Sequence, residues 1–372
     1  MINYKLIIKK IYFGVFFDFL KKIGVNERRI IFSSYYGEQI SGDPKVIYEK
    51  IKSLGLDYEC VWVNNKNTPL FDGDISVKRY SIQHLYFLAT ARYRIDNCQE
   101  SGFLVPHEKT IYIQTWHGIP IKKIAQDIDD PKFKDIKKDW QLDATSWTYL
   151  LTSSQYTSDL LCTAFNIEKN KVIDFGYPRN DIFINKKNEE KIEKIREDLH
   201  LGDKKVILYA PTFRDGREYE YNLNLDLDIV SEKLPDNYII LVKMHSNVKN
   251  SFDINCNDII DVSHYNDVQD LLLISDILVT DYSSIFIDFL LLNKKIIFFA
   301  YDFDDYISNC RDLYIDYINK VPGKIVFNTS ELMDEILNNQ KAINVNECLS
   351  QYYGDNIYSS CEKIMKKVGI LC

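Results

Sequence analysis

Two histidines, one in each half of the chain, sit in surroundings that suit phosphate chemistry. His117 lies in Gln114-Thr115-Trp116-His117-Gly118-Ile119-Pro120, and His245 closes Leu241-Val242-Lys243-Met244-His245. A neutral imidazole can take a proton from an attacking alcohol, and its unperturbed pKa of roughly 6.5 suits that task. In an extended chain Lys243 and His245 fall on one side, where one positive charge and one hydrogen-bond donor match a phosphate oxygen. The stretch Asp281-Tyr282-Ser283-Ser284-Ile285-Phe286-Ile287-Asp288 follows an apolar run and opens a helix. Ser283 or Ser284 can cap that helix, and its free N–H groups and dipole make an anion site without a glycine-rich loop. Asp288, one turn beyond Ser284, can accept a hydrogen bond from a ligand hydroxyl or orient a neighbour. Together these residues suit transfer of a phosphate-bearing group from an activated donor.

Each residue also has a plainer reading. His117 can be structural, Lys243 a solvated strand end, and the serines ordinary helix caps. Gly118 allows close approach of the backbone, and Pro120 can begin a helix carrying Lys122 and Lys123. Arg179, in Gly176-Tyr177-Pro178-Arg179-Asn180-Asp181, and Arg214, in Ala210-Pro211-Thr212-Phe213-Arg214-Asp215, can each clamp a phosphate or form a surface ion pair. Asp127-Ile128-Asp129-Asp130 and Asp302-Phe303-Asp304-Asp305 match the D-x-D pattern of metal-dependent glycosyltransferases. In so acidic a chain such matches are near chance, and the first reads as a solvated loop before Pro131. No metal and no cofactor is expected. Glycine-rich dinucleotide, P-loop and G-x-S-x-G motifs do not occur.

The elements that must position these residues alternate in type. Arg29–Ser34, Tyr58–Val63, Tyr93–Asp96 and Thr110–Gln114 read as short buried strands, with a helix from Asp43 to about Leu54. A charged helical tract runs from Lys186 to Glu197 and ends at Gly202-Asp203. A second series follows, with strands at Lys205–Ala210, Tyr238–Lys243, Asp258–Val262, Ile277–Thr280 and Lys295–Phe299, and helices at Asp270–Ile274 and Ile285–Leu292. Alternating strands and helices imply a parallel sheet. At 372 residues the chain suits two domains. The expectation is an α/β protein with two Rossmann-like domains facing a cleft, residues 29–200 and 201–372, with ligands at the carboxyl ends of strands.

Residues 1–28 stand apart. Basic residues dominate this segment, among aromatics such as Ile11-Tyr12-Phe13-Gly14-Val15-Phe16-Phe17, whereas the whole chain carries a net charge of −8. That apolar run is far shorter than the roughly 20 residues of a spanning helix, and no cleavage site for a signal peptide follows it. The segment either lies on an anionic membrane surface or packs on the body of the protein. The overall charge argues against nucleic acid as a partner. The eight cysteines form no C-x-x-C pair and read as free thiols of a cytoplasmic protein.

Ser41 to Lys45, Gln114 to Lys123, Gly176 to Asp181, Ala210 to Asp215, Lys243 to His245 and Asp281 to Asp288, taken in this order, resemble the CDP-glycerol glycerophosphotransferases of teichoic acid and capsule polymer synthesis. The resemblance runs from about residue 30 to 340. It implies a GT-B fold and places the family's two essential histidines on His117 and His245. It places donor-binding positions on Lys243, Ser283, Ser284 and Asp288, with Arg179 and the Thr212–Arg214 stretch contributing and Gly118 beside the base. Ile119 stands where the family usually has Thr, and Ser246 where it commonly has Pro, so donor preference is open.

The implied reaction moves a glycerol-phosphate or similar unit from a CDP-alcohol to a hydroxyl of a lipid-linked or polymeric glycan, releasing CMP. A polyprenyl-linked acceptor would bring the enzyme to the inner face of the cell membrane as a peripheral protein. A nucleotide-sugar glycosyltransferase on the same fold and an inactive assembly scaffold are the alternatives.

Overall fold

The computed structural model describes residues 4–184, 188–212, 223–244, 258–309, 312–338, 344–357 and 360–372, with side chains from residue 13 on apart from 308 and 309. Arg214 and His245, and Cys256 and Cys310, lie outside the described residues. The chain divides into two compact units. The first comprises Met1–His117, Ile124–Asp181 and Tyr353–Cys372, and the second Gly118–Lys123 and Ile182–Tyr352.

The first unit holds seven strands: β1 (Asn26–Ser33), β2 (Glu59–Val63), β3 (Ile75–Val77), β4 (Ala91–Asp96), β5 (Ile111–Gln114), β6 (Tyr149–Leu151) and β7 (Val172–Ile173). The second holds β8 (Lys205–Ala210), β9 (Tyr238–Val242), β10 (Ile259–Asp261), β11 (Ile277–Thr280), β12 (Lys295–Phe299) and β13 (Lys324–Val326). The orders are β3-β2-β1-β4-β5-β6-β7 and β10-β9-β8-β11-β12-β13, with every pair parallel. Both are Rossmann orders, in which the strand sequence reverses between the first and fourth strands of the sheet. The reversal falls between β1 and β4 in one unit and between β8 and β11 in the other. Ligands of such sheets bind at the carboxyl ends there. The α/β class with two Rossmann-like domains is therefore the one expected.

The strands are continuous apolar runs because helices cover both faces of each sheet. Ile31, Val61, Val63 and Val77 pack with Leu85 and Leu88 in the first unit. Ile207, Tyr209, Ile240, Val242, Val279 and Ile297 form the centre of the second. The helix Tyr4–Lys21 places Phe17 and Leu20 in the first core, so the basic segment is joined to the body of that unit.

The division differs from residues 29–200 and 201–372 at both ends. Residues 182–200 belong to the second unit because the helix Glu189–Asp198 packs on the helix Val268–Ile274. The Lys191 ammonium meets the Asp270 carboxylate there at 2.6 Å. Residues 353–372 return to the first unit. The Asp181 carboxylate accepts the Ser360 and Cys361 N–H groups at 2.8 and 3.0 Å, capping the final helix Cys361–Val368. The Tyr93 and Tyr58 hydroxyls then donate to the Gly369 and Ile370 carbonyls.

The segment after His117 also differs. No helix begins at Pro120. Instead Lys122 pairs antiparallel with Leu313, Lys123 N donates to the Asp312 carbonyl at 2.7 Å, and Tyr314 N donates to the Ile121 carbonyl at 2.8 Å. Ile119 and Ile121 are buried. Buried isoleucines two residues apart, with half-buried Pro120 and Lys122 alternating with them, follow a strand period, and the pairing outweighs the helix-starting tendency of Pro120.

Candidate active site

His117 is placed by the three loops at the reversal point of the first sheet. The loop after β4 supplies the Asn97 carbonyl, 2.7 Å from His117 Nδ1. A carbonyl oxygen only accepts hydrogen bonds, so Nδ1 carries the proton and Nε2 keeps a lone pair. The Asn97 side chain fixes the loop after β1, its Oδ1 accepting Tyr35 N at 2.8 Å. The Trp116 ring stacks on the imidazole with centroids 4.4 Å apart, and the Tyr35 ring stands 6.0 Å away. Cys98 Sγ lies 3.8 Å from Nδ1.

The imidazole is reachable by solvent yet densely surrounded. Desolvation accordingly pulls its pKa below the ordinary 6.5, with the Arg179 charge acting the same way and the Asn97 hydrogen bond opposing both. The ring is then neutral near pH 7, as a general base must be. Tyr35, Tyr36 and Trp116 adopt left-handed backbone angles (φ of 46, 61 and 56°). Bulky side chains rarely occupy that region, and such strain concentrates at functional sites.

Arg179 lies in the same unit but does not present a free guanidinium to a phosphate. It is buried, with Nη1 2.7 Å from Asp43 Oδ2 and its own N–H donating to Asp43 Oδ1 at 2.8 Å. Its guanidinium also lies 4.3 Å from the centre of the Tyr177 ring. Asp43 stands in the first turn of the helix Gly42–Ser53, so the pair ties the segment after β7 to the helix after β1.

In the second unit Asp281, at the end of β11, organises the reversal point. Its Oδ1 accepts the N–H of Thr212, at the end of β8, at 2.7 Å and that of Tyr282 at 2.6 Å. The Tyr317 hydroxyl donates to the Asp281 carbonyl. This sets Thr212 and the pair Ser283–Ser284 at neighbouring strand ends. Ser283 Oγ accepts Ile285 N at 3.3 Å, whereas Ser284 makes no side-chain cap. Both serines are half-buried.

Gly118 belongs to this group. Its φ is +151°, and a Cβ there would come within 3.0 Å of Ser284 Oγ. Within the second unit the Gly118 backbone thus lies against the Ser284 hydroxyl, a close approach that glycine permits. Lys243 donates to the Ser263 and Tyr265 carbonyls, both at 2.7 Å, and so orders the loop after β10. Asp288 is buried and accepts Gln269 Nε2 at 3.0 Å, orienting that neighbour.

Of the expected residues, Gly118, Thr212, Ser283 and Ser284 come together, Lys243 stands at the next strand end, and Asp288 lies in the helix behind them. Arg214 and His245 fall outside the described residues. Asn97 was not singled out from the sequence, and Asp43 and Asp281 were read there only as members of their motifs, with no role of their own. Their common signal is a polar residue just past a strand or at the first turn after one. Among the described residues no group of three or more His, Cys, Asp or Glu could hold a metal ion.

The sequence profile of the CDP-Glycerol:Poly(glycerophosphate) glycerophosphotransferase family matches residues 15–359. The chain belongs to this family. A teichoic acid poly(glycerol phosphate) polymerase of Bacillus spizizenii is 34% identical, with 99% of this chain and 97% of that protein covered. A teichoic acid glycerol-phosphate transferase of Staphylococcus aureus is 35% identical over 86% of each chain. Against a poly(glycerol phosphate) polymerase of Staphylococcus epidermidis, 35% identical, the chain spans about half the relative's length (47%). Among solved structures, the wall teichoic acid polymerase TagF, in a histidine-to-alanine variant, superposes with a TM-score of 0.89 at 31% identity, covering 98% of this chain and 94% of that one. A histidine-to-asparagine variant of the same polymerase with CDPG gives 0.88. A UDP-GlcNAc 2-epimerase of Neisseria meningitidis, at 13% identity and a TM-score of 0.54, shares the fold.

Proposed function

We propose that the chain transfers glycerol phosphate from CDP-glycerol to a hydroxyl of a teichoic-acid-type polymer or its lipid-linked precursor. The observation that carries the reading is the His117 imidazole, held at Nδ1 by the Asn97 carbonyl and left with a lone pair on Nε2. The acceptor hydroxyl gives its proton to Nε2, and its oxygen attacks the glycerol-bearing phosphorus. The anhydride bond to the cytidylyl phosphate breaks, and CMP leaves with the bonding electrons. One phosphodiester forms for each CMP released.

In this reading the second unit holds the donor. Ser283, Ser284 and the Thr212 loop meet the diphosphate at the reversal point between β8 and β11, with Gly118 allowing close approach. Lys243 and Asp288 shape the surrounding loops, and Arg179 sets the base's surroundings through Asp43. Arg214 keeps the donor-binding role, and His245 the role of second essential histidine, that the family resemblance implies, His245 acting on the diphosphate and the leaving group. The family membership and the polymerases named above support CDP-glycerol as the donor.

The acceptor side belongs to the first unit, and the helix Tyr4–Lys21 suits a membrane surface. Val15 and Phe19, with Ile23 just beyond, recur every fourth residue and are 66, 63 and 59% exposed, beside Lys21 and Lys22. An apolar stripe flanked by lysines matches an anionic lipid surface, so we place the enzyme peripherally on the inner membrane face. No helix among the described residues is long and apolar enough to cross a membrane.

The test is release of CMP from CDP-glycerol and CDP-ribitol, and of nucleotide from UDP-sugars, with membrane acceptor. The reading requires CMP release from a CDP-alcohol coupled to phosphodiester formation. Turnover of a UDP-sugar alone would overturn it.

A further inference from the structure

We propose that Gln114 is a positioning residue for His117, its buried amide holding the two backbone segments between which the imidazole is fixed. The inference rests on His117 acting as the base. Gln114 is the last residue of β5 and is fully buried. Its Nε2 donates to the Cys98 carbonyl at 3.0 Å, one peptide beyond the Asn97 carbonyl that receives His117 Nδ1. Its Oε1 accepts Trp116 N at 2.9 Å, one residue before His117. One side chain thus joins the donor's segment to the acceptor's segment on either side of the 2.7 Å contact that sets the tautomer.

The same loop is held from behind by Asp96, which accepts Cys98 N at 3.2 Å, and by Asp143, which accepts Glu100 N at 3.0 Å. The Asp96 carbonyl also accepts Thr115 N at 2.8 Å, two residues before His117, whereas the Gln114 amide joins the residues next to the contact itself, Cys98 and Trp116. A carboxylate or an apolar residue of similar size could not both donate to one segment and accept from the other. The amide also closes a local turn that keeps Trp116 at its positive φ of 56°, against the imidazole.

The test uses the full chain and two variants. Gln114→Met removes both hydrogen bonds. Gln114→Asn, one methylene shorter, keeps the short-range turn to Trp116 N but cannot span to Cys98. Nitrogen-15 NMR of the histidines, with His117 assigned by its loss in His117→Ala, reads the tautomer independently of activity. The wild type should show His117 protonated at Nδ1, and both variants a mixture or the Nε2–H form. With CDP-glycerol, kcat should fall on the order of tenfold to a hundredfold, as small misplacements of catalytic groups do, while KM stays within twofold. The acid limb of the kcat/KM profile should move to lower pH. Should Gln114→Met not fold, Gln114→Asn carries the test alone.

An unchanged His117 tautomer and unchanged kcat in Gln114→Asn would overturn the proposal. A rise in KM without loss of kcat would also do so. Full activity of His117→Ala would instead strike the base assignment, while leaving the tautomer result intact.

Discussion

Substituting Asp43 with alanine should destabilise the first unit severely while leaving the second untouched. The Asp43 carboxylate is buried and accepts two hydrogen bonds from Arg179, one from the guanidinium at 2.7 Å and one from the backbone at 2.8 Å. Removing one partner of a buried pair strands the other charge in a low dielectric and costs about 3–5 kcal/mol. Counting the two lost bonds at about 1.5–3 kcal/mol each gives about 3–6 kcal/mol, an overlapping range. Against a total stability of about 5–15 kcal/mol this is a large fraction. Replacing both residues, as Asp43→Leu with Arg179→Met, removes the charge instead of stranding it. The double change should therefore cost at least about 2 kcal/mol less than the two single changes summed. Urea unfolding followed by tryptophan fluorescence isolates the right unit, because all four tryptophans (Trp62, Trp116, Trp140 and Trp147) lie in the first one. A loss below about 1 kcal/mol in Asp43→Ala would refute the buried pair as drawn. If Arg179→Met then raised the KM for CDP-glycerol at unchanged stability, Arg179 would be a phosphate clamp after all.

Three further outcomes follow from the geometry. Burial holds the His84 imidazole down at about 4 against an ordinary 6.5, with Arg94 and Arg79 adding to the effect and Glu100 opposing it. The folded state therefore favours neutral His84, so its contribution is full above about 6.5 and is lost as pH falls toward 4. Between pH 7 and 4.5 the stability difference between wild type and His84→Gln, read by urea unfolding, should shift by about 2.5 kcal/mol against the wild type; a pH-independent difference would contradict this. Gly118→Ala should lower kcat/KM about fivefold to a hundredfold, from strain of about 1–3 kcal/mol and crowding of Ser284, and a rate within twofold of wild type would count against the close approach. Phe19→Ser should weaken sedimentation with anionic vesicles several-fold without changing CMP release from a soluble acceptor, and unchanged sedimentation would remove the helix from the membrane contact.

The central strands were legible in the sequence because burial on both faces of a parallel sheet writes them as apolar runs. Lys205–Ala210, Ile277–Thr280 and Lys295–Phe299 are found with their expected limits. Of the five strands of three residues or fewer, β3, β6, β7 and β13 were not legible in the sequence, their two or three residues being too few to stand out as a run, whereas β10 was legible because apolar residues continue beyond it to Val262. Ser283, Ser284, Thr212 and Gly118 could be found because a strand end followed by small polar residues or glycine is a local pattern. The roles of Asn97 and Asp43 could not be found that way. Their roles depend on which strand lies beside which, as when the order β1-β4-β5 brings the Asn97 carbonyl to His117. Arg179 shows the same limit from the other side: its type suits a phosphate, but its partner lies 136 residues away in the chain. The helix expected at Pro120 failed because Asp312 and Tyr314 offer that segment a strand partner.

The most direct test of the account is the single-turnover rate of phosphodiester formation from CDP-glycerol in His117→Ala. That rate should fall about a hundredfold to ten-thousandfold, the usual contribution of a positioned general base, with CDP-glycerol still bound. A His117→Ala enzyme that forms the phosphodiester at the wild-type rate would contradict it.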